Sequence, residues 1–292
     1  MDATQFVVQV FNGLVIGSTY VLVALGVTLI YGILRIINFA HGEIFMLGAY
    51  LAYFLVVRGR LNYWVTAGLV MMGCAILAVV LERVAFRRLR GFELGPLITS
   101  IGASIFLQNL ALILFGGDPR SLPTPYLERI VHLGPFVFSV QRALIIPSAL
   151  ALILGLYLLI ERTTMGRMIR AVSQDWEVAS LMGVNPIAAV VLTFVVAGAL
   201  VAVPSVLVAP MLYVFPLMGV TMTLKAYTIV VMGGFGNTTG TIMAGLILGV
   251  AESMVAGLGA SLWVDAVSFL VLIAFLLVRP YGLVGERREE NA

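Results

Sequence analysis

Two parts of an otherwise apolar sequence carry residues whose types could do chemistry. In "NFAHGE", His41 and Glu43 stand two residues apart, and histidine with carboxylate is a combination used for metal binding and for acid–base catalysis. Farther along, Lys225 and Glu252 each lie inside an apolar run. Residues two apart on a helix point to different faces, and the first spacing does not match H-E-x-x-H. The sequence therefore disfavours a metal or catalytic site at His41 and Glu43.

Two other interpretations of the segment from Asn38 to Glu43 remain open and are compatible. Asn38 is a candidate helix cap, and Glu43 would meet the positive end of the next helix dipole. The broken helix would also border a transport route, because unwound segments do so in other transporters. We expect a polar break near the inner end of such a route. The candidate lining residues of the route are Asn12, Asn38, His41, Glu43, Ser104, Gln108 and Asn109. For Asn12, Ser104, Gln108 and Asn109, interhelical hydrogen bonding is the other explanation.

Lys225, the only lysine of the chain, is expected to form an intramembrane ion pair. Lys225 and Glu252 are equally far in sequence from the turn "GNTTG" (236–240), so an antiparallel hairpin would place them at similar depth. An unpaired charge at mid-bilayer costs at least ~2.5–3.5 kcal/mol. The sequence predicts a pair between these two residues, with Asp265 as a rival partner for the lysine. A structural clamp and a role in the substrate path both remain open.

The composition indicates which elements position these residues. The chain has 292 residues, of which 61% are hydrophobic and only 11% are charged, and its mean hydropathy is +1.10. Apolar runs of about 18 residues or more cross a bilayer core of ~30 Å. In lipid every backbone polar group must be bonded internally, and continuous rather than alternating runs favour helices over a barrel. We therefore predict an all-α, polytopic helical membrane protein.

The apolar runs predict eight or nine transmembrane helices in a single domain that covers residues 1–292. The second and seventh runs are short or broken, which leaves the number open. With the N-terminus outside, the inner loops hold eleven arginines and the outer loops five, so the C-terminus is predicted to be cytoplasmic. The runs lie at about 6–30, 43–57, 63–81, 97–115, 143–160, 187–209, 217–234, 241–258 and 262–278.

Two connections are long enough to have structure of their own. The outer loop, at about 116–142, ends in "IVHLGPFVFSV", whose alternation suggests a small hairpin. The inner loop, at about 161–186, has a mixed apolar face and is stopped by Gly183 and then by Asn185-Pro186. Such an amphipathic helix either lies in the lipid interface or inserts into a groove on a partner.

The inner loop contains "EVASLMG" (177–183), which has the form E-x-A-x-x-x-G and resembles the cytoplasmic coupling loop of ABC-importer permeases. Four longer blocks, in the order 11–50, 100–109, 165–185 and 225–252, are similar to the branched-chain amino acid ABC permease family of the LivH type. The resemblance covers nearly the whole chain. It implies a coupling site for an ATPase subunit that comprises Asp175, Glu177, Ala179 and Gly183.

The resemblance also implies a function. The chain would be the permease subunit of an ATP-driven importer for branched-chain or other hydrophobic amino acids, in a bacterial or archaeal cytoplasmic membrane. Its partners would be a second homologous permease subunit, two ATPase subunits and a solute-binding protein, although a homodimer of permeases remains open. No Walker A motif occurs, so ATP would be bound by the partners, and we expect no enzyme activity, cofactor or metal in this chain.

Two alternatives to this function are kept. A related permease would carry urea or amides instead of amino acids, and a self-sufficient ion-coupled carrier or channel would use the buried charged residues for ions or protons. Nucleic acid is not an expected partner, because a net charge of +3 in a membrane protein reflects its topology.

Overall fold

A computed structural model of the chain describes residues 3–89, 94–133, 136–279 and 282–284. Its described part is mostly helical, with one two-stranded sheet. Three arginines that the topology prediction counts, Arg90, Arg287 and Arg288, lie outside the described residues. The elements are α1 (Ala3–Leu34), α2 (His41–Val57), α3 (Tyr63–Leu81), α4 (Gly95–Phe115), α5 (Pro125–Glu128), β1 (Ile130–Leu133), β2 (Phe136–Ser139), α6 (Val140–Arg162), α7 (Thr164–Gln174), α8 (Trp176–Leu181), α9 (Pro186–Val208), α10 (Met218–Gly233), α11 (Thr238–Gly257) and α12 (Val264–Val278).

Seven helical stretches in the described part of the chain are long and apolar enough to cross a membrane. The chain is therefore a multi-pass membrane protein. The apolar helices α2 and α10 are shorter, with 17 and 16 residues. They correspond to the second and seventh apolar runs, which the sequence marks as short or broken. Each of the nine predicted runs contains a helix, while the number of crossings stays a prediction.

Helix α1 lies at the centre of the bundle. It packs against α11, α9 and α10. In its apolar stretch of 18 residues, 83% of the residues are buried. Glycines allow α1 and α11 to approach closely: a Cβ added at Gly13 would lie 2.5 Å from the Cα of Val250. By contrast, the corresponding stretches of α4, α6 and α12 have only 22%, 17% and 6% of their residues buried. These three helices form the outer layer of the bundle.

The short helices α2 and α10 both begin inside the bundle. A Cβ added at Gly26 would lie 2.5 Å from Nε2 of His41, and Gly26 precedes the end of α1 by eight residues, or about 12 Å. Gly219, the second residue of α10, lies against Glu43. The hydroxyl of Tyr227, farther along α10, accepts a hydrogen bond from the backbone N–H of Asn38. The two helices therefore start at a shared depth and run in opposite directions.

The outer loop contains the small hairpin that its alternation suggests. Strands β1 and β2 pair antiparallel, with Val131 opposite Phe138, and residues 134–135 between them lie outside the described residues. An isolated bridge between Arg120 and Val214 ties the loop to the segment that precedes α10. This loop therefore has a fixed structure at one end of the bundle.

Candidate functional site

Glu43 is the centre of a buried polar cluster. It lies in the first turn of α2, as expected, with none of its surface exposed. Its Oε1 accepts hydrogen bonds from Ser104 Oγ at 2.9 Å and from Gln108 Nε2 at 2.8 Å, and Gln108 also donates to Ser104 Oγ. Its Oε2 faces Gly219 and accepts no hydrogen bond within the described part of the chain. Three of the predicted pathway residues thus meet in one place.

The start of α2 is capped differently from the prediction. The prediction of Asn38 as the helix cap is wrong, because Ala40 occupies the N-cap position and makes no side-chain bond. Asn38 Oδ1 accepts from the N–H of Ala40 at 3.0 Å and so closes the turn before the helix. Thr223 of α10 takes the capping role, since its Oγ1 accepts from the N–H of Gly42 at 3.1 Å.

His41 points away from this cluster. Its buried ring lies against Gly26 and the backbone of Val23, both in α1, and forms no hydrogen bond of ordinary geometry with a described residue. Among the described residues, no group of three or more His, Cys, Asp or Glu could hold a metal ion. His41 and Glu43 therefore contact different helices, as residues two apart on a helix must.

The depth of the polar break follows from the contact of His41 with Gly26, which places it about 12 Å inside the end of α1. The break lies at this depth because the chain turns back into the bundle between α1 and α2, which the sequence does not reveal. That this is the inner end of a transport route stays a prediction.

Two of the predicted lining residues lie away from the Glu43 cluster. Asn12 Oδ1 accepts a hydrogen bond from Arg142 Nη1 at 2.9 Å, toward the other end of α1. Asn109 is exposed and donates to the carbonyl of Ile105 on its own helix at 2.8 Å. Each residue of a helix is turned about 100° from its neighbour, so Asn109 cannot share the direction of Gln108.

A cleft of about 120 Å³ opens between α4 and α10, beside the Glu43 cluster. Its polar lining residues are Ser104, Gln108 and Thr223, and the first two bond the carboxylate of Glu43, which does not itself line the cleft. The remaining walls are apolar. The lining residues are Phe39, Ile101, Ser104, Ile105, Gln108, Val220, Thr223 and Leu224.

Lys225 forms a second buried cluster with both of its predicted partners at once. Its Nζ lies 2.6 Å from Glu252 Oε1 and 2.9 Å from Asp265 Oδ1. It also donates to Ser268 Oγ at 2.6 Å, which in turn bonds the carboxylate of Glu252. Tyr20 OH donates to the other oxygen of Glu252 at 2.9 Å. An ammonium has three donors, so one lysine can serve all these acceptors.

The depth argument for this pair does not describe its geometry. The turn between α10 and α11 spans residues 234–237, so Lys225 lies about nine residues before the turn and Glu252 about fifteen after it, and the two are not equally far from it. The clusters also contain residues that sequence reasoning missed. Tyr20 belongs to a polar run in the first segment, whereas Thr223 and Ser268 are single hydroxyls in apolar helices and give no signal of their own.

The inner loop folds as two short helices with a fixed junction. Asp175 caps α8, because its Oδ1 accepts from the N–H of Val178 at 2.9 Å. Ala179 is buried, and its carbonyl accepts from the N–H of Val184 at 3.0 Å. Gly183 ends the helix with a φ of +82°, a conformation that favours glycine. Of the predicted coupling residues, Glu177 is exposed and Ala179 packs inward.

The end of α8 presents apolar side chains on the surface. Leu181 is 87% exposed and Met182 is 79% exposed, and Val178 is also exposed. They stand beside the exposed carboxylate of Glu177. Such a cluster on a loop between long apolar helices is typical of an interaction site.

The comparisons with known proteins settle the family. The profile of the family described as "Branched-chain amino acid transport system / permease component" matches residues 9–276. The chain belongs to this permease family. The resemblance seen in the sequence is thereby confirmed. The chain is 36% identical to the high-affinity branched-chain amino acid transport system permease protein BraD of Pseudomonas aeruginosa, over 98% of each chain.

Other relatives carry the same description. The LivH permease protein of Salmonella typhimurium is 37% identical over 98% of this chain and 97% of its own length. A probable branched-chain amino acid transport permease protein LivH of Methanocaldococcus jannaschii is 24% identical over 95% and 92%. All three relatives are named as branched-chain amino acid transport permease proteins, the last of them as a probable one.

One solved structure is similar to the chain at a low level. It is described as PsaBC from Streptococcus pneumoniae in complex with Fab, and it shares 15% identity over 91% of this chain and 89% of its own, with a TM-score of 0.49. This value is too low to establish a common fold.

Proposed function

We propose that this permease is the transmembrane subunit of an ATP-driven importer for branched-chain amino acids, in a bacterial or archaeal cytoplasmic membrane. The names of its relatives support amino acids over urea or amides as the substrate. The observation that carries the ATP-driven part is the exposed apolar end of α8, formed by Val178, Leu181 and Met182. In this proposal a separate ATPase subunit on the cytoplasmic side binds to that surface.

The inner loop is suited to receive and transmit a force. Burying a large aliphatic side chain stabilises an interface by about 1.5–3 kcal/mol, so the exposed end of α8 offers a partner substantial binding energy. Helix α7 packs against α1, α6 and α9 and connects α8 to the centre of the bundle. A displacement of α8 therefore reaches α1, the most buried helix.

The transport cycle that follows is alternating access. A solute-binding protein delivers the amino acid to the outer face, where the N-terminus of the chain lies. Closure of two ATPase subunits on ATP pushes α8, and the bundle tilts so that the route opens inward. A second permease subunit, either a homologous chain or a second copy of this one, completes the route. ATP is bound by the ATPase subunits, and this chain needs no cofactor.

Substitutions at Gly183 test whether the end of α8 binds the ATPase subunits. A β-branched residue at a φ of +82° costs roughly 1–2 kcal/mol and distorts the end of α8, whereas asparagine adopts this conformation readily. We expect Gly183→Val to abolish copurification of the ATPase chains in mild detergent and to abolish leucine uptake, while Gly183→Asn retains both. Unchanged association and uptake in Gly183→Val would contradict the proposal.

The second candidate function is a self-sufficient ion-coupled carrier. The observation that favours it is Glu43 Oε2, a buried oxygen that accepts no hydrogen bond from a described residue. Such a carrier would transport leucine without ATPase chains, in proportion to an ion gradient. Uptake by the permease alone would therefore select this function over the first.

A further inference from the structure

We propose that a pocket beside the β1–β2 hairpin binds the phosphate of an anionic phospholipid, with Arg142 as its main contact. The pocket lies between the hairpin, the first turn of α6 and the segment that follows α9. Its volume is about 380 Å³, and small-ligand sites have volumes of roughly 300–1,000 Å³. Arg142 and the hydroxyl of Ser139 are its polar lining. The other lining residues are Leu127, Ile130, Val137, Phe138, Pro210 and Met211.

The guanidinium of Arg142 has donors to spare. It is half-buried, and within the described part of the chain it donates one hydrogen bond, from Nη1 to Asn12 Oδ1 at 2.9 Å. No carboxylate of a described residue forms an ion pair with it or lines the pocket. A guanidinium has five N–H donors, and two of them can bond two oxygens of one phosphate. A phosphate in the pocket would therefore supply the counter-ion that the described residues do not.

The pocket lies at the level of the bilayer where phospholipid head groups are found. Leu127 of its lining follows Tyr126, whose hydroxyl accepts a hydrogen bond from Trp64 Nε1 at 3.1 Å. Trp64 is 49% exposed at the start of α3, and tryptophan and tyrosine at the end of an apolar helix are typical of the membrane–water interface. Arg142 is the third residue of α6, whose apolar run follows it directly. The phosphate groups of the bilayer are therefore at the height of the pocket.

The surroundings of Arg142 favour a phosphate that carries hydrocarbon chains. Ile130 and Val137, at the pocket, are 59% and 55% exposed. Successive residues of a helix are turned by about 100°, so Ile146 and Leu150 lie within about 80° of Arg142 on α6, farther along its apolar run. Leu150 is 61% exposed. An acyl chain along this face of α6 would cover these side chains, whereas a free phosphate would not.

Four additives separate a lipid phosphate from other anions. They are dihexanoylphosphatidylglycerol, dihexanoylphosphatidylcholine, which adds a cation beside the phosphate, glycerol 3-phosphate, which lacks the chains, and sodium chloride at equal ionic strength. The full-length chain in dodecyl maltoside micelles is heated with each, since a ligand of the folded state raises the unfolding midpoint. We expect a saturable rise with phosphatidylglycerol, a smaller one with phosphatidylcholine, and none with the other two.

Variants at Arg142 assign the effect to the pocket. Arg142→Gln keeps an N–H donor for Asn12 but removes the cation, and it should raise the half-saturating concentration of phosphatidylglycerol at least about tenfold. Arg58→Gln is the matched control, because Arg58 is exposed at the end of α2, outside the pocket. It should leave that concentration unchanged.

A second pair of variants keeps the bond between Arg142 and Asn12. Val137→Glu places a negative charge at an exposed lining position, where it repels a phosphate and can itself pair with Arg142, so the response to phosphatidylglycerol should be lost. Val137→Gln has the same size without the charge and should keep the response. This pair decides the question even if Arg142→Gln fails to fold.

Four results would overturn the proposal. An equal response to phosphatidylcholine would show that the anionic charge is not recognised, and an equal response to glycerol 3-phosphate would show a site for free phosphate. An equal response to sodium chloride would show an effect of ionic strength alone. If Val137→Glu abolishes binding of the solute-binding protein and leaves the lipid response unchanged, the pocket contacts that protein instead. The measurement uses neither ATPase subunits nor ATP, so its outcome is independent of the proposed function.

Discussion

At the scale of single residues, the two buried clusters stabilise their charges in different ways. The carboxylate of Glu43 accepts hydrogen bonds from the neutral side chains of Ser104 and Gln108 at one oxygen. Its other oxygen accepts none from a described residue. The ammonium of Lys225 is held by two carboxylates, those of Glu252 and Asp265. The described residues leave one oxygen of Glu43 without a donor, whereas in the second cluster they supply partners for both buried charges. We therefore expect the second cluster to have a structural role.

The Lys225 cluster predicts a large coupling energy. Lys225→Met leaves the carboxylate of Glu252 buried without its cation, and breaking a buried pair in this way costs about 3–5 kcal/mol. The double variant Lys225→Met with Glu252→Gln removes both charges and should cost less than Lys225→Met alone. The free energy of unfolding, measured by titration with sodium dodecyl sulfate in mixed micelles, checks this order.

Glu128, exposed in the outer loop and outside the cluster, supplies the control for the double variant. Glu128→Gln should change the free energy of unfolding by no more than about 0.5 kcal/mol. The single variants are Lys225→Met and Glu252→Gln. If the loss of unfolding free energy in the double variant equals the sum of the losses in these two, Lys225 and Glu252 do not stabilise each other.

Gly219 predicts a steric effect beside Glu43. A Cβ at this position would lie 2.5 Å from Glu43 Oε2 and 2.7 Å from the carbonyl oxygen of Gly42, so Gly219→Ala should destabilise the fold by about 1–3 kcal/mol. Gly68 in α3 has no atom within 4 Å of the added Cβ, and Gly68→Ala should be neutral or stabilise by up to about 1 kcal/mol. A melting comparison that ranks the two variants in the opposite order would show that α10 does not approach α2 closely.

The site could be predicted only in part from the sequence. Glu43, Ser104, Gln108, Lys225 and Glu252 stand out because polar residues in apolar runs are expensive and few. Thr223 and Gly219 complete the Glu43 cluster from a helix far along the chain, and neither has an unusual type for its context. Their positions depend on how α10 crosses α2, which is a property of packing and not of local sequence.

At the scale of elements, the short helices explain the uncertain segments. The run at 43–57 and the run at 217–234 are short because α2 and α10 begin inside the bundle. Hydropathy reports the length of an apolar run but not the depth at which it starts. The inner loop was more predictable, since Gly183 and Asn185-Pro186 mark the end of α8 by their backbone preferences.

The cap of α8 gives a prediction that separates geometry from charge. Asp175 accepts from the N–H of Val178, and replacing an N-cap residue by alanine costs about 0.5–2 kcal/mol. We expect Asp175→Ala to weaken copurification of the ATPase chains, whereas Asp175→Asn, which keeps the cap and removes the charge, should retain it. Equal loss in both variants would mean that the partner binds the carboxylate itself.

At the scale of the whole molecule, burial is uneven. Helix α1 is enclosed, whereas few residues of α4, α6 and α12 are fully buried and many of their exposed side chains are apolar. Side chains such as Ile113, Leu262 and Leu277 are stable in this state only when lipid or another protein covers them. This is the distribution expected of a multi-pass membrane subunit.

The orientation predicts which loops are reached from outside the cell. Cys74 is the only cysteine in the sequence. In a Cys74→Ser background, a single introduced cysteine is therefore the only thiol that a maleimide can label. In intact cells, a membrane-impermeant maleimide should label Ser121→Cys in the outer loop at once. Ser180→Cys, exposed in α8, should be labelled only after the cells are permeabilised. The reverse pattern would invert the topology and place α8 out of reach of a cytoplasmic ATPase.

The most direct test of the account is leucine uptake by proteoliposomes of defined composition. The permease is reconstituted alone, and then with its second permease subunit, the two ATPase subunits, the solute-binding protein and ATP. The account predicts accumulation of leucine only with the full set and hydrolysable ATP. Selective accumulation by the permease alone would contradict the claim that a separate ATPase drives transport through α8.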